Sequence, residues 1–216
     1  MTATTSHATT LGTPRKDWRT SAACQGIDEE VVFSERPTMQ TQMQGICRGC
    51  PVKTVCLTDA LGYEATEYMV WGVAGGLTDT QRRALRVEAL LGNVPNLEQA
   101  GKLTRPVFAE FMRAWRDWPA ETVAEELRRH GVIAAPVTVR VALWWTGARA
   151  GVLPPQAEED RRGSWAVVRD ECRDVVYRLR DLGVSNLGVA AYLGVSRDAL
   201  ERAIRSWRAE GLEVAA

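Results

Sequence analysis

Four cysteines near the N-terminus constrain this chain more than any other feature. Cys47, Cys50 and Cys56 follow one another as Cys-x2-Cys-x5-Cys, and Cys24 lies alone upstream. Four thiolates that converge on one point suit a zinc ion or an iron–sulfur cluster, because both bind soft sulfur ligands. The region must therefore fold so that two separate stretches of backbone meet at one inorganic centre.

The cysteine spacing leaves three chemistries open. For a cluster, Gly45 and Gly49 permit unusual backbone angles around the short Cys-x2-Cys pair, and Cys24 closes the site from a separate helix. Structural zinc sites usually carry two short pairs, whereas this chain has one, and neither His7 nor His130 lies at ligand spacing. A catalytic redox pair would need a strand-and-helix context that the pattern lacks.

Composition narrows the function classes. The 27 basic and 27 acidic residues give the whole chain zero net charge. Residues 24–80, however, carry eight acidic residues against three basic ones, and such an acidic region is expected to bind a basic protein surface rather than a phosphate backbone. The polar N-terminus lacks a secretory signal and no apolar run reaches membrane length, so we expect a cytoplasmic protein without membrane association. The sequence shows no Ser/His/Asp set, no glycine-rich phosphate loop and no paired-carboxylate site. We therefore expect neither an enzyme nor a small-molecule substrate.

Apolar periodicity predicts an all-α fold without convincing strands, in which a small helical iron–sulfur module precedes helix-turn-helix-like modules. The predicted segments are a disordered tail (1–16), the cysteine domain (17–92), a helical module (104–146), a linker (147–163) and a helix-turn-helix-like module (164–210).

The last module has the clearest helical period. Apolar residues from Trp165 to Leu179, with Cys172 and Val175 among them, predict one helix, and Cys172 is expected to be a buried thiol rather than a ligand. A short helix and a turn follow, in which Ser196 can cap the final helix. That helix is expected to bury Leu200, Ala203, Ile204 and Trp207.

Three arginines, Arg197, Arg202 and Arg205, are expected on the opposite face of the final helix. They could reach phosphates or base edges if the helix enters a major groove. The alternative is a solvated helix face, because Asp198 and Glu201 lie on the same helix and would repel phosphate.

The middle module is a weaker copy of the same plan. Its third helix is expected over Pro136 to Trp145, with Arg140 as the only basic residue, and the simpler interpretation is a helical packing unit. The first helix is expected to be lined by Val107, Phe108, Phe111, Trp115 and Trp118.

The motifs of residues 18–86 together resemble the WhiB family of actinobacterial transcription regulators. The motifs are Ala23-Cys24, Ile46-Cys47-x2-Cys50-Pro51-Val52-x3-Cys56, Trp71-Gly72, Gly75-Gly76-Leu77-Thr78 and Arg82-Arg83. The family turn usually has the sequence Gly-Val-Trp-Gly-Gly. This chain has Val-Trp-Gly-Val-Ala-Gly-Gly over residues 70–76, so its turn is longer or shifted. The helical modules after Thr104 also lie outside the usual short form of the family.

The resemblance implies a redox-responsive regulator that holds a 4Fe–4S cluster on Cys24, Cys47, Cys50 and Cys56, and whose apo form can make intramolecular disulfides. It also implies contact with the principal sigma factor through Trp71, Gly72, Gly75 and Gly76, and with promoter DNA through Arg82, Arg83 and Arg86. Trp71 could equally be a core residue that shields the cluster. The alternative functions are a disulfide reductase that uses apo cysteines with a lowered pKa, and a zinc-knotted DNA-binding scaffold.

Overall fold

The structure, a computed structural model, describes residues 17–65, 70–147 and 164–211. The predicted tail, and all but the first residue of the predicted linker, lie outside these ranges. A short 3-10 helix, Trp18–Ser21, comes first. The α-helices are α1 (Glu29–Val32), α2 (Pro37–Arg48), α3 (Lys53–Glu64), α4 (Asp79–Leu90), α5 (Leu97–Leu103), α6 (Pro106–Ala114), α7 (Ala120–Arg129), α8 (Pro136–Trp145), α9 (Ser164–Glu171), α10 (Arg173–Asp181), α11 (Asn186–Leu193) and α12 (Arg197–Ala209). The predicted all-α class is confirmed.

One small hairpin corrects the expectation that the chain has no strands. Strand β1 (Val73–Ala74) pairs antiparallel with β2 (Leu77–Thr78). Both residues of the connecting turn are glycines in the left-handed region, Gly75 at φ +56° and Gly76 at φ +78°, as the tightest hairpin turns require. Two-residue strands are too short to leave an alternating pattern in the sequence.

The helix starts follow local chemistry. Thr78 and Gln81 form a reciprocal capping box that begins α4 directly after the hairpin. Ser196 accepts a hydrogen bond from the Ala199 N–H at the start of α12, which confirms the predicted cap. Gly194, at φ +74°, ends α11 and completes the turn between the last two helices.

The C-terminal apolar face is largely as expected, with two differences. The predicted helix from Trp165 to Leu179 is two helices, α9 and α10, divided at Cys172. Val175 is exposed rather than on the buried face. Cys172 is buried as predicted, and the four residues expected in the core of α12 are buried: Leu200, Ala203, Ile204 and Trp207.

The middle module differs from its prediction in the face of its first helix. Helix α6 ends at Ala114, so Trp115 and Trp118 lie beyond it. Val107 and Phe111 are exposed, and Met112 fills the core instead, because the packing against α8 selects the other side of the helix. Helix α8 has the predicted bounds, and every residue from Val137 to Trp145 is buried.

Two apolar cores cross the predicted domain boundaries. Leu57, Leu77 and Leu85 from the cysteine domain pack in one core with residues of α5 to α8. Val87 of α4 belongs to the second core, formed mainly by α9 to α12, and α11 packs along α4. Burying apolar area against shared neighbours stabilises the three predicted modules jointly. The predicted boundaries remain a hypothesis about units of function.

A buried ion pair ties the same elements together. Arg140 of α8, only 2% exposed, donates to Glu88 of α4 and to Glu121 of α7. Asn93 donates to the second oxygen of Glu88 at 2.8 Å. The lone basic residue of α8 is therefore internal.

Candidate metal centre

The four predicted cysteine ligands come from separate segments and line one cavity. Cys24 lies in the turn after the 3-10 helix, Cys47 in the last turn of α2, Cys50 in the following turn and Cys56 in the first turn of α3. The Cys50 N–H bonds to the Cys47 carbonyl at 3.2 Å, which closes the short loop between the helices. The structure thus brings the lone upstream cysteine to the same place as the other three.

Backbone N–H groups bond to two of the four sulfurs. The pairs are Ala23 N to Cys50 Sγ at 3.5 Å and Gly75 N to Cys56 Sγ at 3.2 Å. Hydrogen bonds from N–H groups favour the charged form of an acceptor. The Gly75 donor belongs to the hairpin turn, so the hairpin is part of the site.

Burial disfavours the charged form of the thiols in the site. It raises the pKa of Cys47 to about 11, and the charges of the neighbouring cysteines raise it further. Burial likewise raises the pKa of Cys56, and burial lowers the pKa of Lys53 beside the site. Metal ligands must be thiolates, so a bound cationic centre would supply the charge that holds these sulfurs deprotonated.

The size of the cavity bears on which centre fits. The cavity has a volume of about 970 Å³ between the cysteines and the hairpin. In the part of the chain that the structure describes, no group of three His, Cys, Asp or Glu side chains is placed to hold a single ion. A tetrahedral zinc would need its sulfurs about 2.3 Å from one point. Cysteine thiolates are the ligands of iron–sulfur clusters and of structural zinc alike, so the donor set of the cavity fits either centre.

The predicted sigma-contact residues separate into one exposed side chain and three buried glycines. Trp71 is 51% exposed and lies at the wall of the cavity. Gly72, at φ +61°, approaches the Val32 carbonyl so closely that a Cβ would lie 2.3 Å from its oxygen. Gly72, Gly75 and Gly76 are all buried, so their role is to let the turn pack close to α1 and α3.

Arg82 corrects the DNA-contact prediction, because its side chain is 1% exposed. It pairs with Glu64 at 2.8 Å and donates to three backbone carbonyls of the turn. The carbonyls are Trp71 (2.8 Å), Gly72 (3.0 Å) and Leu77 (2.7 Å). Arg82 therefore holds the hairpin and cannot reach DNA from this position.

The other predicted DNA-contact arginines occupy two separate places. Arg83 is half-buried and donates to the Val70 carbonyl at 3.1 Å, and Arg86 is also half-buried on α4. On α12, Arg197, Arg202 and Arg205 are exposed as predicted, although Arg197 pairs with Glu201 at 2.6 Å. None of the α12 arginines lines the cysteine cavity.

Trp145 is a contributor to the site that the sequence did not reveal. Its Nε1 donates to the Gly75 carbonyl at 2.7 Å, and Lys53 Nζ lies 4.3 Å from its ring centroid. Trp145 ends α8, far along the chain from the cysteines. The only signal was a helix apolar on every side, which indicates burial without indicating the partner.

Fold and site together define a helical protein in which four cysteines and a glycine hairpin enclose one cavity. The family model described as "Transcription factor WhiB" matches residues 18–85. The WhiB1 transcriptional regulator of Bifidobacterium longum is 38% identical over 79 residues, covering 34% of this chain and 82% of its own length. WhiD of Streptomyces coelicolor is 31% identical over 87 residues, covering 37% and 70% respectively. This chain belongs to the WhiB family.

The likeness does not extend over the whole chain. The match to WhiB2 of Mycolicibacterium smegmatis, 33% identical over 69 residues, covers 32% of this chain and 50% of that relative. The chain thus spans about half the length of that relative. No solved structure matches this chain. Within the described ranges, no helix combines the length and apolar character that crossing a bilayer requires.

Proposed function

We propose that this chain is a redox-responsive transcription regulator that holds a 4Fe–4S cluster on Cys24, Cys47, Cys50 and Cys56. The observation that carries the proposal is the convergence of these four thiols on one cavity. The names of the relatives, all transcriptional regulators, support the regulatory role. When bound, the cluster would supply a centre that reacts with oxidants.

The protein's own part in this function is to position the sulfurs and to donate hydrogen bonds to them. Residues 22–33 and the hairpin pack on α2 and α3 around the cavity, with a small apolar cluster centred on Met43. Because that cluster is small, ligand binding would contribute much of the free energy that orders this end of the molecule. Loss of the centre would then loosen Cys24 and change the surface around Trp71, a switch read by a partner.

Metal analysis of protein purified without air tests the cluster. We expect iron and inorganic sulfide with visible absorption, and loss of both when any one of the four cysteines is changed to serine. Cys172→Ala is the matched control, because Cys172 is buried in the other core and should leave the iron content unchanged. Stoichiometric zinc without iron would refute the proposal and favour the zinc-knotted scaffold.

We further propose that Trp71 anchors the principal sigma factor. An exposed indole at the wall of the cavity can bury a large area in a partner at low entropic cost. The acidic character of residues 24–80 suits a basic DNA-binding domain. Co-purification with the sigma subunit should fall at least tenfold in Trp71→Ala. Trp118→Ala, at an exposed indole outside the cavity, should leave it unchanged.

Promoter contact is proposed for Arg83 and Arg86 and for the α12 arginines, with Arg82 removed from the set. Helix α12 follows α11 through a glycine turn, as the recognition helix does in helix-turn-helix proteins. Changing Arg197, Arg202 and Arg205 to glutamine should weaken promoter binding and flatten its salt dependence. Arg128→Gln, at an exposed position on α7, is the control, and equal promoter affinity in both variants would mean that the α12 arginines form a solvated face.

A reductase is the less supported alternative, and we propose that the chain is not an enzyme. Such a catalyst needs an exposed thiol whose pKa is lowered. Burial instead raises the pKa of Cys47 and of Cys56. The apo protein should therefore reduce insulin no faster than its Cys50→Ser variant.

A further inference from the structure

Trp145 lies outside the family-matched residues 18–85, yet it contacts the cysteine site directly. Its indole is 4% exposed and donates to the Gly75 carbonyl at 2.7 Å. A Cβ built on Gly76 would lie 3.1 Å from the ring, so the ring packs flush against the turn. The Trp145 side chain of the helical extension thus reaches the glycine turn of the hairpin.

Gly75 joins Trp145 to a cysteine ligand. Its carbonyl oxygen accepts from Trp145 Nε1 at 2.7 Å, and its own N–H donates to Cys56 Sγ at 3.2 Å. Because both bonds restrain the same residue, removal of the indole N–H releases one side of Gly75. The hydrogen bond on the Cys56 sulfur should then lengthen and weaken.

We propose that Trp145 is a positioning residue of the cysteine site, which fixes Gly75 and so maintains the hydrogen bond from Gly75 to Cys56. The proposal rests on the function proposed above where it concerns a bound cluster. Hydrogen bonds to cluster sulfurs help to set the reduction potential. A weaker bond leaves more electron density on the sulfur, and the potential should become more negative.

The competing explanation is that Trp145 merely fills the core, since it belongs to the larger apolar cluster. Trp207 provides a matched control for this explanation. Its indole is also buried, at 1% exposure, and its Nε1 also donates to a backbone carbonyl, that of Arg169 at 3.0 Å. Trp207 lies in the other core, away from the four cysteines of the site. Trp145→Phe and Trp207→Phe therefore remove the same chemistry at two places.

The first measurement is hydrogen–deuterium exchange of the Gly75 amide in the full chain as isolated. Trp145→Phe should speed this exchange about tenfold relative to wild type, roughly the effect of weakening one hydrogen bond. Trp207→Phe should leave it unchanged. If Trp145→Phe does not fold, 3-benzothienylalanine at position 145 replaces only the N–H with sulfur and keeps the ring shape.

The second measurement is the reduction potential of the iron-loaded protein. Trp145→Phe should shift it to more negative values, and Trp207→Phe should not. Equal exchange and equal potential in the two variants would overturn the proposal and leave Trp145 a core residue. If wild-type protein contains no iron, the proposed function fails, and the exchange of the Gly75 amide still decides whether Trp145 positions the turn.

Discussion

Replacing Arg82 with methionine should strongly destabilise the protein, because the buried guanidinium holds four acceptors at once. Without it, three turn carbonyls and the Glu64 carboxylate lose their donor. Breaking a buried ion pair by removing one partner costs about 3–5 kcal/mol, and each unsatisfied buried acceptor costs about 1–3 kcal/mol. Since the turn can relax towards water around exposed Trp71, we expect a loss of about 4 kcal/mol.

Urea denaturation followed by circular dichroism measures this loss. A protein of this kind has a free energy of unfolding of about 5–15 kcal/mol, so the shift should be large. Arg205→Met, at an exposed site on α12, is the control and should change stability by less than about 0.5 kcal/mol. A loss below about 1 kcal/mol for Arg82→Met would refute the view that Arg82 holds the hairpin.

The loss in Arg82→Met should also depend on pH. Burial raises the pKa of Glu64, and Arg82 is the strongest influence that lowers it. In the variant the pKa of Glu64 rises further, so folding favours its protonated form. Stability of Arg82→Met should therefore be higher near pH 5 and fall as pH rises through the folded-state pKa. Adding Glu64→Gln should remove this dependence and recover part of the stability at pH 8, and an unchanged slope would contradict the assignment.

Two further substitutions test the packing around the site and between the cores. Gly75→Ala places a Cβ 2.3 Å from Leu57 Cβ at a left-handed φ, so it should lower the free energy of unfolding by about 3 kcal/mol and lower the iron content. Gly92→Ala is the control, because Gly92 has a left-handed φ but lies in open space, and it should cost only about 1 kcal/mol. Equal losses by thermal denaturation would show that the close approach at Gly75 is unimportant. Arg140→Met removes a buried partner of two carboxylates and should cost about 3 kcal/mol. Arg128→Met, at an exposed position on α7, should leave the midpoint of thermal denaturation unchanged. Matching midpoints would mean that the buried ion pair does not join the cores.

Local pattern accounts for much of what the sequence predicted. The Cys47–Cys56 spacing fits into one turn and the start of one helix, so its geometry follows from nearby residues alone. The Ser196 cap and the apolar stripe of α12 likewise depend on neighbours three or four residues away. The same locality explains why the bounds of α8 were predicted correctly.

The wrong predictions share a dependence on residues distant in the chain. The family resemblance implied that Arg82 contacts DNA, whereas its carbonyl partners appear only once the hairpin folds over α4. Phe111 and Met112 are adjacent apolar residues of α6, so the sequence alone does not show which of them is buried. Packing of α6 against α8 buries Met112 and leaves Phe111 exposed.

By itself, the sequence determined which residues could bind a metal and where helices begin, because those properties reside in side-chain chemistry and in short-range backbone hydrogen bonds. Only the tertiary structure decided that Cys24 joins the other cysteines, that Arg82 is internal and that Trp145 touches the turn. These contacts join segments up to 70 residues apart, and they form because buried polar groups need partners that no local pattern specifies.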